Sequence, residues 1–189
     1  MISYIGGKSR MAKWIGSYIP SDIETYVEVF GGAFWVYVKG DIHENPKLKE
    51  VVYNDKNRFM ANLFECMTNI HKSQNPDKFQ DFQERLNSLT NCEDYELGNN
   101  GIAAMYAYVA TQVFSGSKIL ESKFIDLKGK YSSKYDALRR RMQDPEVIER
   151  LHKITQVENM GYLELIQKYD SPTTFFYVDP PYWKTENYY

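Results

Sequence analysis

The sequence predicts an α/β fold: an open, doubly wound, mostly parallel sheet carrying a mostly helical insert. Three observations lead there. Short apolar runs alternate with helical segments near both ends of the 189-residue chain. Residues 57–150 lack strand-like runs and show helical spacing instead. Two of the apolar runs end in residues suited to ligand chemistry, as the strands of open sheets do at their carboxyl ends. The expected division is therefore a catalytic domain from 1–56 and 151–189, with 57–150 as the insert.

Taken in order, "KSRMAKWIGSYIP" places Met11, Trp14, Ile15, Tyr18 and Ile19 at helical spacing, and Pro20 closes the segment. "TYVEVF" (25–30) predicts a strand, and "GGAFWVYV" a tight turn entering a helix. "EVVYN" (50–54) predicts a second strand, followed by a helix from Asn57 to Ile70. Helices are expected at 76–89 and 101–114. Residues 115–135, rich in Ser, Gly and Lys, predict loops. "YDALRRRMQ" is expected as a helix, and Asp144-Pro145 starts another with Pro in its first turn. "TQVEN" is a short strand candidate, "YLELIQKY" a helix, and "TFFYV" the last strand.

Composition excludes several classes. With 43% hydrophobic and 25% charged residues the chain has an ordinary globular makeup. Net charge is −2, so any nucleic-acid surface must be local. Cys66 and Cys92 are too few and too far apart for a disulfide scaffold or a metal cluster, which fits a reducing compartment. His43, His71 and His152 are isolated and offer no start for a zinc site or a Ser-His-Asp triad. No apolar stretch reaches the roughly 18 residues of a membrane span, so a cytoplasmic location without membrane association is expected.

Three stretches carry chemistry. In "YVEVFGG" followed by "VVYND", adjacent glycines allow a sharp turn at a helix N-terminus, and Asp55, 23 residues after Gly32, ends the second strand. An acid there suits a ribose diol. An ordinary βα turn with a solvated aspartate fits the same features. The dinucleotide pattern G-x-G-x-x-G is absent, which disfavours a nicotinamide oxidoreductase. "YIGGKS" (4–9) has Ile2 where a phosphate loop needs its first glycine, so it is a loop entering the first helix. Its lysine can still neutralise a carboxylate.

"FFYVDPPY" is the specific signal. Average residue usage would produce Asp-Pro-Pro-Tyr by chance in about one chain in a thousand of this length. An exocyclic amine on a base is a poor nucleophile because its lone pair is conjugated into the ring. The Asp179 carboxylate and the Pro180 carbonyl could both accept its protons and hold it for attack. Pro180 and Pro181 fix φ and remove two donors, leaving a stiff loop that offers acceptors only. Tyr182 would stack on a base taken out of the helix. A strand-ending turn is the plainer account, since Asp and Pro form turns.

Together, in this order, these stretches resemble the Dam-type DNA adenine methyltransferases, which contain Asp-Pro-Pro-Tyr and use S-adenosylmethionine. The resemblance runs over nearly the whole chain, the middle only in character. It implies a Rossmann-like methyltransferase sheet, with the insert as a target-recognition region on double-stranded DNA. It also implies methyl transfer to the 6-amino group of adenine. By position, Tyr4, Lys8, Glu28, Phe30, Gly31, Gly32, Asp55 and Asp179 would meet the cofactor. Asp179, Pro180, Pro181 and Tyr182 would form the catalytic motif, and no metal is implied. "VATQVFSGS" is similar to a family loop that enters DNA, with Phe114 as the wedge and Ser115 beside it. Phe114 as the last apolar residue of its helix is the competing account. Residues 118–141 hold eight Lys or Arg against three acids. Of these, Lys128, Lys130, Arg139, Arg140 and Arg141 could contact phosphates.

The chain departs from the family pattern at Val29, where proline is usual, and at Phe34, near the place of a second glycine. Gly161 stands where an acid often precedes the aromatic, so a contact to the cofactor's adenine is expected to be missing. The family continues beyond Asp-Pro-Pro-Tyr, so a truncated chain is expected, with an open edge on the Asp179 strand and a tendency to self-associate. The alternative function is a DNA- or cofactor-binding module without turnover.

Overall fold

The computed structural model describes residues 6–68, 99–112 and 132–182. Four strands form one sheet: β1 (Thr25–Glu28), β2 (Glu50–Asn54), β3 (Gln156–Glu158) and β4 (Thr174–Tyr177). All neighbouring pairs are parallel, in the order β3-β2-β1-β4. The chain first builds outward from β1 through β2 to β3, then returns to the other side of β1 with β4. The order therefore reverses at β1. Open parallel sheets bind ligands at such a reversal, outside the carboxyl ends of the strands.

Parallel strands need cover on both faces, and the side chains divide accordingly. Tyr26, Val51 and Tyr53 point into the larger core with Phe175 and Tyr177 packed against it. Val27, Val29 and Val52 point the other way, with Phe176, onto Leu165. That leucine belongs to α7 (Tyr162–Tyr169), which links β3 to β4. The larger face is covered by α1 (Ala12–Gly16), α2 (Trp35–Lys39), α3 (Arg58–Thr68), α4 (Asn99–Gln112), α5 (Ser132–Arg141) and α6 (Pro145–His152). Ala103, Ala107 and Tyr108 of α4 and Tyr135 and Leu138 of α5 share that core with Tyr26 and Tyr53. The described helices of the middle region thus pack directly into the sheet's own core.

The predicted order of elements holds, with differences that have local causes. The strand expected over 25–30 ends at Glu28. Val29 still donates its N–H to the Tyr177 carbonyl at 3.0 Å, and the chain then turns at Gly31. The loop expected through residue 135 ends earlier, because Ser132 already begins α5. Asp144 caps α6 as its spacing with Pro145 predicted, accepting the Glu146 N–H. The first helix is one short turn and a half, and its apolar spacing is misleading. Ile15 and Ile19 face the core, whereas Met11, Trp14 and Tyr18 are exposed, the latter two in edge-to-face contact at 5.2 Å. The helix expected at 76–89 lies outside the described residues.

Candidate active site

The turn after β1 is shaped by its glycines. Gly31 donates to the Asn54 carbonyl at 2.7 Å, bringing this turn hard against the end of β2. A Cβ at Gly31 would sit 2.3 Å from the Tyr53 ring, so no side chain fits. Gly32 adopts φ 47°. Phe34 also has φ 57°, a conformation that costs a non-glycine residue of order 1 kcal/mol. Its ring repays that by burial against Tyr37, Tyr53 and Phe64, at centroid distances of 5.0, 5.1 and 5.7 Å. This is how the sequence dispenses with a second glycine there.

Asp55, just past β2, holds the turn from the other side. Its Oδ2 accepts the Gly32 N–H at 2.9 Å and its Oδ1 the Asn57 N–H at 2.8 Å. Burial raises the Asp55 carboxyl, and the two amide bonds with the Tyr53 hydroxyl work against that rise. With three donors on about four acceptor sites, the carboxylate keeps room for one more donor.

Glu28, the last residue of β1, is buried, and among the described residues no cation stands beside it. Both of its hydrogen bonds fall on Oε1, from the Tyr26 hydroxyl at 2.8 Å and the Tyr37 N–H at 3.0 Å. Burial pushes its carboxyl up to about 8, opposed by those two bonds and reinforced by the nearby Asp179 charge. With Oε1 accepting from two donors, the proton belongs on Oε2.

At the end of β4, Lys8 reaches across the sheet to the Asp-Pro-Pro-Tyr segment. Its Nζ lies 2.5 Å from Asp179 Oδ2 and donates to the Tyr182 hydroxyl at 2.9 Å and the Gly6 carbonyl at 2.8 Å. Burial alone would lower the Lys8 ammonium, but the bonds to Asp179 and Tyr182 outweigh it and hold it above its ordinary value. Tyr182 itself is half exposed, 53%.

One cavity of about 550 Å³ joins these groups. Lys8, Glu28, Phe30, Gly31, Gly32, Asp55, Asp179, Pro180, Pro181 and Tyr182 all line it. Ten of the positions singled out in the sequence therefore meet in one place, at the reversal of the sheet. Tyr4 lies outside the described residues, as do Phe114, Ser115, Lys128 and Lys130. None of the three arginines of α5 lines the cavity, though Arg141 packs on Trp35, which does, and two of the three have partners within the chain. Arg139 approaches Asp136 at 3.9 Å and the Tyr135 ring, while the Arg141 guanidinium sits 5.5 Å from the centre of the Trp35 ring. Arg140 is exposed.

Sequence reasoning missed Trp35, Asn57 and Tyr177, which also line the cavity. Two had a signal. Asn57 accepts the Phe59 N–H at 3.0 Å, the capping geometry that Asn-x-aromatic at a helix start announces. Tyr177 ends β4 two residues before Asp179, and alternation carried along "FFYVD" could have named it.

A parallel sheet with its cavity at the order reversal, a glycine turn after β1 and an acid after β2 is the architecture of a Rossmann-like methyltransferase. The chain belongs to the D12 class N6 adenine-specific DNA methyltransferase family, whose model matches residues 4–189. A search of curated proteins gave no significant match. The family methylates adenine in DNA, so the resemblance carried by the sequence motifs holds, and the activity is that of an adenine-specific DNA methyltransferase. Members of the family generally use S-adenosylmethionine. Among the described residues, no helix is long and apolar enough to cross a membrane.

Proposed function

We propose that the 550 Å³ cavity binds S-adenosylmethionine and that Asp179 and Pro180 orient the target adenine beside it. The donor set fits the cofactor. The volume is that of a small-molecule site. Asp55 has acceptor capacity left for a ribose hydroxyl, Phe30 offers an aromatic face, and Glu28 Oε2 has no hydrogen-bond partner among the described residues. A carboxyl so placed meets the ammonium of an amino acid end, and its proton would leave as the cation arrives. When bound, the cofactor supplies an electrophilic methyl on a sulfonium.

The chain's own residues do the rest. Lys8 occupies Asp179 Oδ2 and leaves Oδ1 open as an acceptor. Oδ1 and the Pro180 carbonyl would take the two protons of the adenine amine and turn its lone pair out of conjugation. Tyr182, half exposed at the rim, would stack on the extruded base. As nitrogen takes the methyl, the surplus proton passes to the carboxylate already hydrogen-bonded to it. Positioning the amine against the methyl is the main contribution. Arg140, exposed on α5, is a candidate phosphate contact, and Phe114, Ser115, Lys128 and Lys130 remain proposals for the DNA interface.

The observation that carries this reading is the meeting of Lys8 with Asp179 inside a cavity that also holds Asp55 and the glycine turn. Transfer of labelled methyl from S-adenosylmethionine to adenine-containing duplex DNA tests it. Asp179→Ala should lower transfer by at least about a hundredfold while calorimetry still detects the cofactor. Undiminished turnover in that variant would sink the mechanism.

A further inference from the structure

The segment joining β3 to α7 is fastened to the cavity wall at several points. Asn159 Nδ2 donates to the carbonyls of Asp55 at 2.7 Å and Lys56 at 3.0 Å. The buried Asn54 bridges the turn to the end of β1. Its Nδ2 donates to the Val29 carbonyl at 2.8 Å, and its Oδ1 accepts the Met160 N–H at 2.9 Å. These bonds set Gly161 and Tyr162 beside Phe30, whose ring lies 6.0 Å from that of Tyr162 at 33°. Phe30 and Asp55 both line the cavity.

Over this corner stands Glu164, in the first turn of α7. Its Oε2 lies 3.5 Å from the point where a Cβ on Gly161 would be, so the carboxylate folds back over the glycine. Other acids near this corner are committed. Asp55 holds two amides, and Glu158 Oε1 accepts from Lys168 at 2.7 Å and Tyr169 at 2.6 Å. Glu164 is exposed and holds neither a hydrogen bond nor an ion pair among the described residues.

We infer that Glu164 accepts the 6-amino group of the cofactor's own adenine, with Phe30 and Tyr162 supplying the ring's apolar face. A purine nucleoside held by its diol on Asp55 would meet Phe30 in the same cavity, and its amine would need an acceptor beyond that ring. Among the described residues, Glu164 is the uncommitted carboxylate beside Gly161 and Tyr162. It takes over, from one helical turn along, the place that a side chain at position 161 would fill. The inference rests on the cavity's assignment to S-adenosylmethionine.

Calorimetry with S-adenosylhomocysteine and S-inosylhomocysteine tests it, since the second probe replaces the amine with an oxygen that a carboxylate repels. The chain should prefer the adenosyl probe by about tenfold or more, as expected for a hydrogen bond to a charged group. Glu164→Ala should bring that ratio close to one while leaving the affinity for the inosyl probe unreduced. Adding Gly161→Asp to Glu164→Ala should restore the preference, because φ at Gly161 is −66° and a Cβ there meets only Glu164. A general loosening of the corner would not be rescued in this way. A preference that survives Glu164→Ala overturns the inference and leaves the cavity's assignment standing. Failure of the unaltered chain to bind either probe overturns both.

Discussion

Glu28 shows how one buried carboxyl ties the site to stability. Its folded value of about 8 lies above the ordinary 4.5, so the folded state holds a proton that the unfolded chain has released. The stabilisation is complete below the ordinary value and is lost progressively as pH rises toward the folded one. The melting temperature should therefore fall between about pH 5 and about pH 8, and Glu28→Gln should flatten that part of the profile. A parallel slope in both proteins would show that Glu28 is not its source. Gly31 acts sterically instead. Gly31→Ala puts a methyl 2.3 Å from the Tyr53 ring and 2.9 Å from the Asn54 carbonyl, and one of those contacts is backbone. Overpacking of that kind costs roughly 1–3 kcal/mol, and chemical denaturation should measure it. Cofactor affinity should fall with it, since the turn and Asp55 share a hydrogen bond.

At the scale of elements, the strands divide by how well they are enclosed. β1 and β2 are buried along nearly their whole length, whereas every residue of β4 is half-buried. Among the described residues β4 has one strand neighbour, β1, which leaves the backbone groups of its other side open to pairing. Met11, Trp14 and Tyr18 expose apolar surface on and beside α1, as do Tyr162 and Leu163 on α7. We propose that the β4 edge associates with another strand in solution. Sedimentation velocity should show a concentration-dependent shift to larger species, and a single monomeric species up to about 100 μM would count against the proposal. α2 illustrates a different economy. It is only five residues long, yet its Tyr37 N–H holds Glu28 and its Trp35 carries both Lys39 and Arg141 against the ring. A short helix thereby connects the cavity wall to the helical layer.

Over the whole molecule, the site is built from groups far apart in the chain. Lys8 and Tyr182 are 174 residues apart and meet at 2.9 Å because the sheet order places β4 beside β1. The sequence by itself determined strands within "TYVEVF", "EVVYN" and "TFFYV", the capped start of α6, and the chemistry of Asp-Pro-Pro-Tyr. Each of these depends on residues adjacent in the chain, through alternation, capping or fixed φ. It also named Lys8, Asp55 and Asp179 as residue types suited to a cofactor and a base, and Glu28 through the family resemblance. Only the tertiary structure decided that these four face one cavity, that Lys8 spans to Asp179, and that burial without a cation leaves Glu28 protonated near neutrality. It decided too that Trp14 faces solvent and Ile15 the core, that Phe34 takes a glycine-like turn for the sake of its buried ring, and that Glu164 folds over Gly161. The reason is physical: propensity and motif chemistry are local, whereas burial, charge pairing and proximity depend on which distant segments the sheet order brings together.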